Sequence, residues 1–378
     1  MQKRVLNLSR IDYYFQVTPI VALLGPRQCG KTTLALEYAT KHKLITHFDC
    51  ENPMHLLRLE NPMLALQDIE GLIIIDEVQL KPQLFPILRV LIDRNKEKQR
   101  YLLLGSASRD LIQHSAETLA GRISYFELTP FTLAETNNVN KLWLRGGFPL
   151  SYLAKTDSIS TTWRQEYIKT FLERDIPNLG IRVAPHTLRR FWMMLLSYHG
   201  NILNASDLGR SLGLSHTAIN HYLDILSGTF MMRVLRPWFE NISKRQVKAP
   251  KLYFRDSGIM HTLLGVSTME ELNNNAKLGA SWEGFAMEEV IRRAQVDENS
   301  CYFWATHADA ELDLVIFKNG KRLGFEFKYS DSPKITKSMK IALIDLKLDI
   351  LTIVVPAETS FLFDNKIFVT GLNDVHFA

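Results

Sequence analysis

The chain has 378 residues, 46% of them hydrophobic and 22% charged, with a formal net charge of +5. That length exceeds one ordinary core and predicts two or three domains, and the composition excludes a disordered chain. No apolar run approaches the ~18 residues of a membrane span and Met1 to Arg10 lacks the apolar centre of a signal peptide, so a cytoplasmic protein with no membrane partner is expected.

Arg4 to Gln16 reads as an amphipathic lead-in. Ile20 to Leu24 is then an apolar strand that runs into Gly25-Pro26-Arg27-Gln28-Cys29-Gly30-Lys31-Thr32-Thr33, which satisfies G-x-x-x-x-G-K-[ST] from Gly25 to Thr32; Thr33 to Tyr38 continues as a helix. The chemistry of a polyphosphate explains these residue types. Gly25 and Gly30 let the backbone turn tightly and aim successive N–H groups at phosphate oxygens, and the helix N-terminus adds positive dipole. Lys31 is placed to reach the β- and γ-phosphates and Thr32 to ligate Mg²⁺, so ATP and Mg²⁺ are the expected cofactors. Cys29, Cys50 and Cys301 are odd in number and widely spaced, which fits reduced thiols rather than a disulfide framework or a metal cluster.

Leu44 to Phe48 is a second strand ending at Asp49, and a helical stretch from Met54 to Leu66 leads to Leu72-Ile73-Ile74-Ile75-Asp76-Glu77. Downstream of a phosphate loop, four apolar residues ending in two acids predict a parallel strand, buried on both faces, that delivers carboxylates to its C-terminal edge. Asp76 is expected to hold Mg²⁺ through water and Glu77 to orient the attacking water. Tyr101 to Gly105 is a third buried strand, with Ser106 at its end as a candidate γ-phosphate sensor. A helix from Asp110 to Leu119, then Gly121-Arg122 and a strand from Ile123 to Leu128, complete an alternation that predicts a doubly wound parallel sheet.

The ordered set Gly25 to Thr33, Ile75-Asp76-Glu77-Val78-Gln79, Leu104-Gly105-Ser106-Ala107-Ser108, and Leu119-Ala120-Gly121-Arg122 through Leu128-Thr129-Pro130-Phe131 resembles the prokaryotic AAA-type ATPases that carry a C-terminal domain of unknown function. The resemblance implies ATP as the nucleotide, Glu77 as the catalytic acid, Ser106 at a sensor position and Arg122 as a finger on a neighbouring copy's nucleotide.

Polar Asn137 to Asn140 marks a domain edge, and Gly146-Gly147-Phe148-Pro149 a rigid turn. Trp163 to Asp175 reads as a helix stopped by Pro177. Leu188 to Tyr198, Ser206 to Leu212 and Ser215 to Leu226 then read as three helices with Gly213 closing a turn, a helix-turn-helix spacing. In a winged helix Ser215, His216, Thr217, Asn220 and His221 would face a DNA groove. Lys244, Arg245, Lys248 and Lys251 would lie on a wing against phosphates. A packing or oligomer scaffold is the alternative for this element.

Lys251 to Gly258 reads as a strand and turn, and Ser281 to Arg293 as a helix carrying Glu283. Glu311 to Phe317 is an alternating strand, Asn319-Gly320 a hairpin turn, and Arg322 to Tyr329 the return strand. Glu326 and Lys328 share one face of the return strand, as Glu311 and Asp313 do on the outgoing one. A carboxylate, a Glu-x-Lys on the hairpin partner and an acid from a preceding helix resemble the PD-(D/E)xK nuclease superfamily. That resemblance implies Mg²⁺ on Asp313 and Glu326, with Lys328 beside the water and Glu283 completing the acidic set. A helix after Lys334 and the strand Ile350 to Val355 can complete the sheet.

The fold class expected is therefore α/β, in three parts: a P-loop AAA-type parallel-sheet domain (1–136), a helical lid and winged-helix region (137–248), and a nuclease-like domain (249–378). Two functions stay open. One is an ATPase coupled to DNA binding or processing; the other is an ATP-dependent regulatory or scaffold protein whose nuclease-like domain is catalytically inactive. DNA, a protein partner and further copies of the chain are the partners these readings allow.

Overall fold

The computed structural model describes residues 3–94, 98–106, 118–178, 183–308 and 310–377. Its chain divides into two compact units, residues 1–131 with 228–230, and residues 132–227 with 231–378. The helix expected at Asp110 to Leu119, like Ala107 and Ser108, falls largely outside the described residues.

In the first unit the strands β1 (Ile20–Leu24), β2 (Ile45–Asp49), β3 (Gly71–Asp76), β4 (Gln99–Gly105) and β5 (Ile123–Glu127) form one parallel sheet in the order β2-β3-β4-β1-β5. The runs of Ile, Leu and Val in β1, β3 and β4 are buried on both faces, as strands covered by helices on either side must be. Two apolar layers result. Ile73, Ile75, Tyr101 and Leu103 pack on Phe85, Leu88 and Leu91 of one helix, Leu84–Arg94, and Ile74, Leu102 and Leu104 cluster with Leu34 and Tyr38 of another, α1 (Lys31–Ala39). Because all five strands run the same way, the ends of β1, β3 and β4 lie along a single edge. The stretch expected as one helix from Met54 to Leu66 is two, Pro53–Arg58 and Pro62–Leu66, each started by an Asn side chain and a proline in the first turn.

The second unit holds both the stretch expected as a helical lid with a winged helix and the stretch expected as a nuclease-like domain. Helices α2 (Pro185–Leu195), α3 (Ala205–Leu212) and α4 (His216–Gly228) surround a small sheet of β6 (Asn201–Ile202), β7 (Met232–Leu235) and β8 (Lys251–Phe254) in the order β6-β8-β7. Helix α5 (Ser257–Leu263) and the long helix α6 (Leu278–Ala294) follow. A six-stranded sheet then runs β13-β14-β12-β11-β10-β9, built from β9 (Cys301–Ala305), β10 (Glu311–Lys318), β11 (Lys321–Phe327), β12 (Ile350–Val355), β13 (Ser360–Asp364) and β14 (Ile367–Gly371), with helix α7 (Lys337–Asp345) between β11 and β12. The β10–β11 hairpin turns at Asn319 and Gly320, both at positive φ, as their sequence predicts.

The loop from 236 to 250 does not stand out as a wing. Trp238 N donates to Phe303 O at 2.7 Å, Val247 N to Ala305 O at 3.0 Å and His307 N to Arg245 O at 2.9 Å, so the loop covers the free edge of β9. Lys244 is paired with Asp345 at 2.6 Å, and Lys251 belongs to β8 with its side chain buried. The expected row of wing lysines on phosphates is corrected accordingly for those two residues. The helix expected to stop at Pro177 instead passes through a π turn, Phe171–Asp175, into the short helix Ile176–Asn178 that contains the proline.

Asp256 fastens the start of α5 to the turn after residue 145. Its Oδ1 accepts from Ile259 N at 2.9 Å and its Oδ2 from Gly147 N at 2.8 Å. A Cβ on Gly146, which stands at φ +73°, would lie 2.1 Å from Oδ1, and one on Gly258 would lie 2.2 Å from Arg145 O. The glycines in Gly146-Gly147 and Ser257-Gly258 thus admit one buried carboxylate to two backbone donors. Asp256→Ala should cost about 2 to 4 kcal/mol in chemical denaturation, because both donors are left buried and unpaired, and Asp256→Asn should cost less because one acceptor remains.

Candidate functional site: the phosphate loop and a buried carboxylate cluster

The phosphate loop leaves β1 and folds back before α1. Gly25 could carry no side chain, since a Cβ there would lie 2.2 Å from Leu128 O, and Gln28 and Gly30 stand at φ +61° and +97°. Left-handed residues alternating with an ordinary one in this way turn peptide N–H groups to one side. Arg4, missed by sequence reading because it precedes every motif, is buried and donates to Cys29 O at 3.1 Å and Thr129 O at 2.9 Å. It ties the loop to the Leu128-Thr129-Pro130 segment. Cys29 is fully buried with its thiol pKa pushed up by burial, and the Arg27 guanidinium pairs with Glu51 at 2.5 Å. Pro26 is buried, whereas Thr33 is exposed on the first turn of α1.

Lys31 is buried, and its Nζ donates to Gly25 O at 2.9 Å and Pro26 O at 3.0 Å, with Ser106 Oγ at 3.4 Å. All three partners are neutral oxygens. Thr32 Oγ1 donates to Asp76 Oδ2 at 2.5 Å, so the hydroxyl and the carboxylate expected to share Mg²⁺ already meet. Burial raises the Asp76 pKa; the Thr32 hydrogen bond opposes that shift. Glu77 stands at φ +49°, a conformation uncommon outside glycine and a form of strain concentrated at functional sites. Its carboxylate accepts from Ser106 Oγ at 3.0 and 3.1 Å and from Gln79 Nε2. Gln79 is a member of this group that the sequence motif alone does not single out.

Arg122 stands elsewhere. It precedes β5 at the sheet edge opposite the phosphate loop and clamps Asp93 through Nε at 2.8 Å and Nη2 at 3.0 Å. It is no part of this chain's own nucleotide site.

The second unit brings Glu283, Asp313, Glu326 and Lys328 together. Extending the β10–β11 register by one residue from Leu314–Phe325 sets Asp313 opposite Glu326, and Asp313 Oδ2 accepts from Phe327 N at 3.0 Å. Lys328 Nζ pairs with Glu326 Oε1 at 2.7 Å. The centre holds a residue that sequence reading placed on a wing. Lys251 Nζ lies 3.7 Å from Glu283 Oε1 and 3.8 Å from Asp313 Oδ1, forms an ion pair with Glu311, and sits 5.6 Å from the Phe303 ring centre. Tyr253, two residues along the same face of β8, donates its hydroxyl to Glu283 Oε1 at 2.7 Å. The expected Mg²⁺ site of Glu283, Asp313 and Glu326 is therefore not formed as an open one: among the described residues no group of three or more Asp, Glu, His or Cys side chains is placed to hold a metal ion.

His199 fixes this geometry. Burial lowers its pKa to about 3, so the ring is neutral; Nδ1 accepts from Phe254 N at 3.0 Å while Nε2–H donates to Ala280 O at 3.0 Å. That bridge holds β8, with Lys251 and Tyr253, against α6 with Glu283. A Cβ on Gly284 would come within 2.5 Å of His199 Nε2, so the glycine makes room for the ring. Burial, then the charge of Asp313, pushes Glu283 up to about 7 and Glu326 up to about 8. Burial opposes the charge on Lys251, but Glu283, Asp313 and Glu311 outweigh it and raise its pKa.

Residues 17–137 match the family model of an AAA domain, the class of ATP-binding ATPase that the parallel sheet and phosphate loop define. Residues 136–270 match a domain of unknown function (DUF8612) and residues 278–375 another (DUF4143). The chain is 47% identical over 355 residues to the uncharacterized protein Rv2008c of Mycobacterium tuberculosis and equally to the uncharacterized protein Mb2031c of Mycobacterium bovis, covering 93% of this chain and 80% of each relative. It belongs to the family of those proteins. Among solved structures, the Walker-type ATPase PABY2304 of Pyrococcus abyssi is 14% identical with a TM-score of 0.49, covering 70% of this chain and 96% of that one. A Thermotoga maritima RuvB variant is 18% identical with a TM-score of 0.30, covering 61% and 86%. Likenesses this distant add nothing to the assignment. Among the described residues no helix is long and apolar enough to cross a membrane.

The raised pKa of Glu326 has a signed consequence for stability. Between its ordinary value of 4.5 and about 8 the folded chain keeps a proton that the unfolded chain releases. The stabilisation is full below about 4.5 and is lost as pH rises through about 8. Equilibrium denaturation should show wild type losing stability, relative to Glu326→Gln, as pH rises toward about 8; the buried neutral histidines contribute equally to both proteins, so the difference between the two curves isolates this proton. An equal decline in both proteins would place the proton elsewhere.

Proposed function

We propose that the chain hydrolyses Mg·ATP at the phosphate loop and that the second unit converts nucleotide state into engagement of a partner. The observation that carries this reading is the convergence of Lys31, Thr32, Asp76, Glu77 and Ser106 at one edge of the parallel sheet, with Lys31 resting on neutral oxygens. Gly25 to Thr33 would cradle the phosphates, and Thr32 and Asp76 would hold Mg²⁺. The cofactor supplies the phosphoanhydride bond and the metal that neutralises developing charge. Lys31 would exchange carbonyl oxygens for phosphate oxygens, and Glu77 would turn from Ser106 to orient the attacking water, leaving Ser106 to sense the γ-phosphate.

DNA is the partner we favour for the second unit, through a winged-helix reading of α2, β6, α3, α4, β7 and β8. It is supported by the sheet order β6-β8-β7 and by Ser215, His216, Thr217, Asn220 and His221, all exposed at the start of α4. Phosphate contacts would have to come from residues other than Lys244 and Lys251. A second reading, a regulatory protein whose nuclease-like fold is inactive, is favoured by the ammonium of Lys251 among the carboxylates. The nuclease-like reading itself is supported by the succession α6, β9, β10, β11, α7, β12 carrying Glu283, Asp313 and Glu326-x-Lys328 at its expected places. A finger role for Arg122 would act on a neighbouring copy and would require it to leave Asp93; sedimentation in ATP tests for the assembly this needs.

Lys31→Ala should abolish Mg·ATP binding in calorimetry or weaken it severely, and unchanged affinity would end the proposal. Glu77→Gln keeps shape but removes the carboxylate's charge, so ATP should still bind while turnover falls by about a hundredfold or more. Near-normal turnover would assign the activating group elsewhere. Duplex or single-stranded DNA should raise the wild-type ATPase rate on the DNA reading and leave it unchanged on the regulatory one.

A further inference from the structure

The resemblance to metal-dependent nucleases asks for a divalent cation among Glu283, Asp313 and Glu326, and the residues present do not leave room for one. These carboxylates do converge, which a wet sheet face would not require, and such convergence calls for positive charge. Lys251 supplies it. Its side chain is only 3% exposed and reaches Glu283, Glu311 and Asp313 together. The other polar groups of the pocket are engaged as well: Tyr253 and Lys251 on Glu283, Phe327 N on Asp313, Lys328 on Glu326 Oε1. One valence is left over. Glu326 Oε2 is buried and has no hydrogen-bond partner, although Glu326 lies opposite Asp313 and within electrostatic reach of Glu283.

We propose that Lys251 is the resident cation of this pocket: its ammonium stands where a divalent metal ion would have to bind, so the pocket is closed to metal while Lys251 is in place and becomes a divalent-cation site when the ammonium is removed. A lysine ammonium is a compact point charge with three donors, well suited to bridge carboxylates from α6 and β10. A hard divalent cation prefers the same oxygens and would also use the orphaned Glu326 Oε2. The difference between the two occupants is decided by one residue on β8, outside the hairpin that carries the Glu-x-Lys. The inference deepens the reading of an inactive nuclease-like fold and is independent of ATP turnover.

The test measures Mn²⁺ binding to the full chain without nucleotide, by electron paramagnetic resonance of free Mn²⁺ and by calorimetry. Wild type should bind no Asp313-dependent ion at about 1 mM, whereas Lys251→Met should bind one with a Kd below about 100 µM, a range set by carboxylate count and site rigidity. Adding Asp313→Asn to Lys251→Met should remove that binding, which separates the pocket from any Mn²⁺ at Thr32 and Asp76. If Lys251→Met does not fold, Lys251→Met with Glu311→Gln removes an opposite charge as well and leaves Glu283, Asp313 and Glu326 to bind the ion. Asp313-dependent Mn²⁺ binding by wild type as tight as by the variant would overturn the proposal, and so would a folded variant that binds no ion. Asp313-dependent nicking of plasmid DNA by wild type in Mn²⁺ would overturn it too.

Discussion

A buried ammonium must be matched by oxygen, and how that demand is met separates the two centres of this protein. Lys31 is buried among two loop carbonyls and a serine hydroxyl, with no carboxylate at ion-pair distance among the described residues. Dipoles alone satisfy such a charge incompletely, and a polyphosphate satisfies it better. Lys251 is the opposite case, ringed by Glu283, Glu311 and Asp313. Removing one partner of such a buried set leaves uncompensated charge, which is why the arrangement resists change from within.

Each centre depends on backbone placement more than on its charged residues. The parallel sheet puts the ends of β1, β3 and β4 side by side, so residues as far apart in sequence as Lys31, Glu77 and Ser106 come within hydrogen-bond reach. Leu128 O, 2.2 Å from where a Cβ on Gly25 would stand, presses the phosphate loop into its turn from behind. In the second unit the neutral His199 spans β8 and α6, and Gly284 exists in that helix because a side chain there would displace the imidazole. The carboxylates around Lys251 can therefore be close despite their repulsion, since the elements bearing them are fastened by uncharged bonds.

Local patterns made the nucleotide centre legible in sequence. The spacing from Gly25 to Thr32 and the apolar run into Asp76-Glu77 each describe one strand and its end, and a buried parallel strand leaves few other readings. The β10–β11 hairpin was legible for the same reason, through alternation and Asn319-Gly320. Lys251 was not, because its partners lie on α6 and β10, far along the chain, and a lysine in a basic stretch reads by default as a solvated one. A clue was present in the alternation of Lys251-Leu252-Tyr253-Phe254, which puts the lysine and the tyrosine on one face of a strand that is otherwise apolar. Gln79 and Arg4 escaped for a related reason: each acts by filling a hydrogen bond that only the folded backbone creates. The division near residue 248 was placed at the strand and turn from Lys251 to Gly258, and that strand, β8, pairs with β7 while its Lys251 reaches carboxylates of α6 and β10.

The contrast between the two lysines is most directly tested by observing both side chains in one sample. With the Nζ groups of Lys31 and Lys251 assigned by nuclear magnetic resonance through single Lys→Arg variants, Mg²⁺ is added first and a non-hydrolysable ATP analogue second. The account predicts that neither signal responds to Mg²⁺ alone and that the Lys31 signal moves when the nucleotide arrives. A Lys251 signal that shifts with Mg²⁺ alone, or a Lys31 signal indifferent to nucleotide, would contradict it.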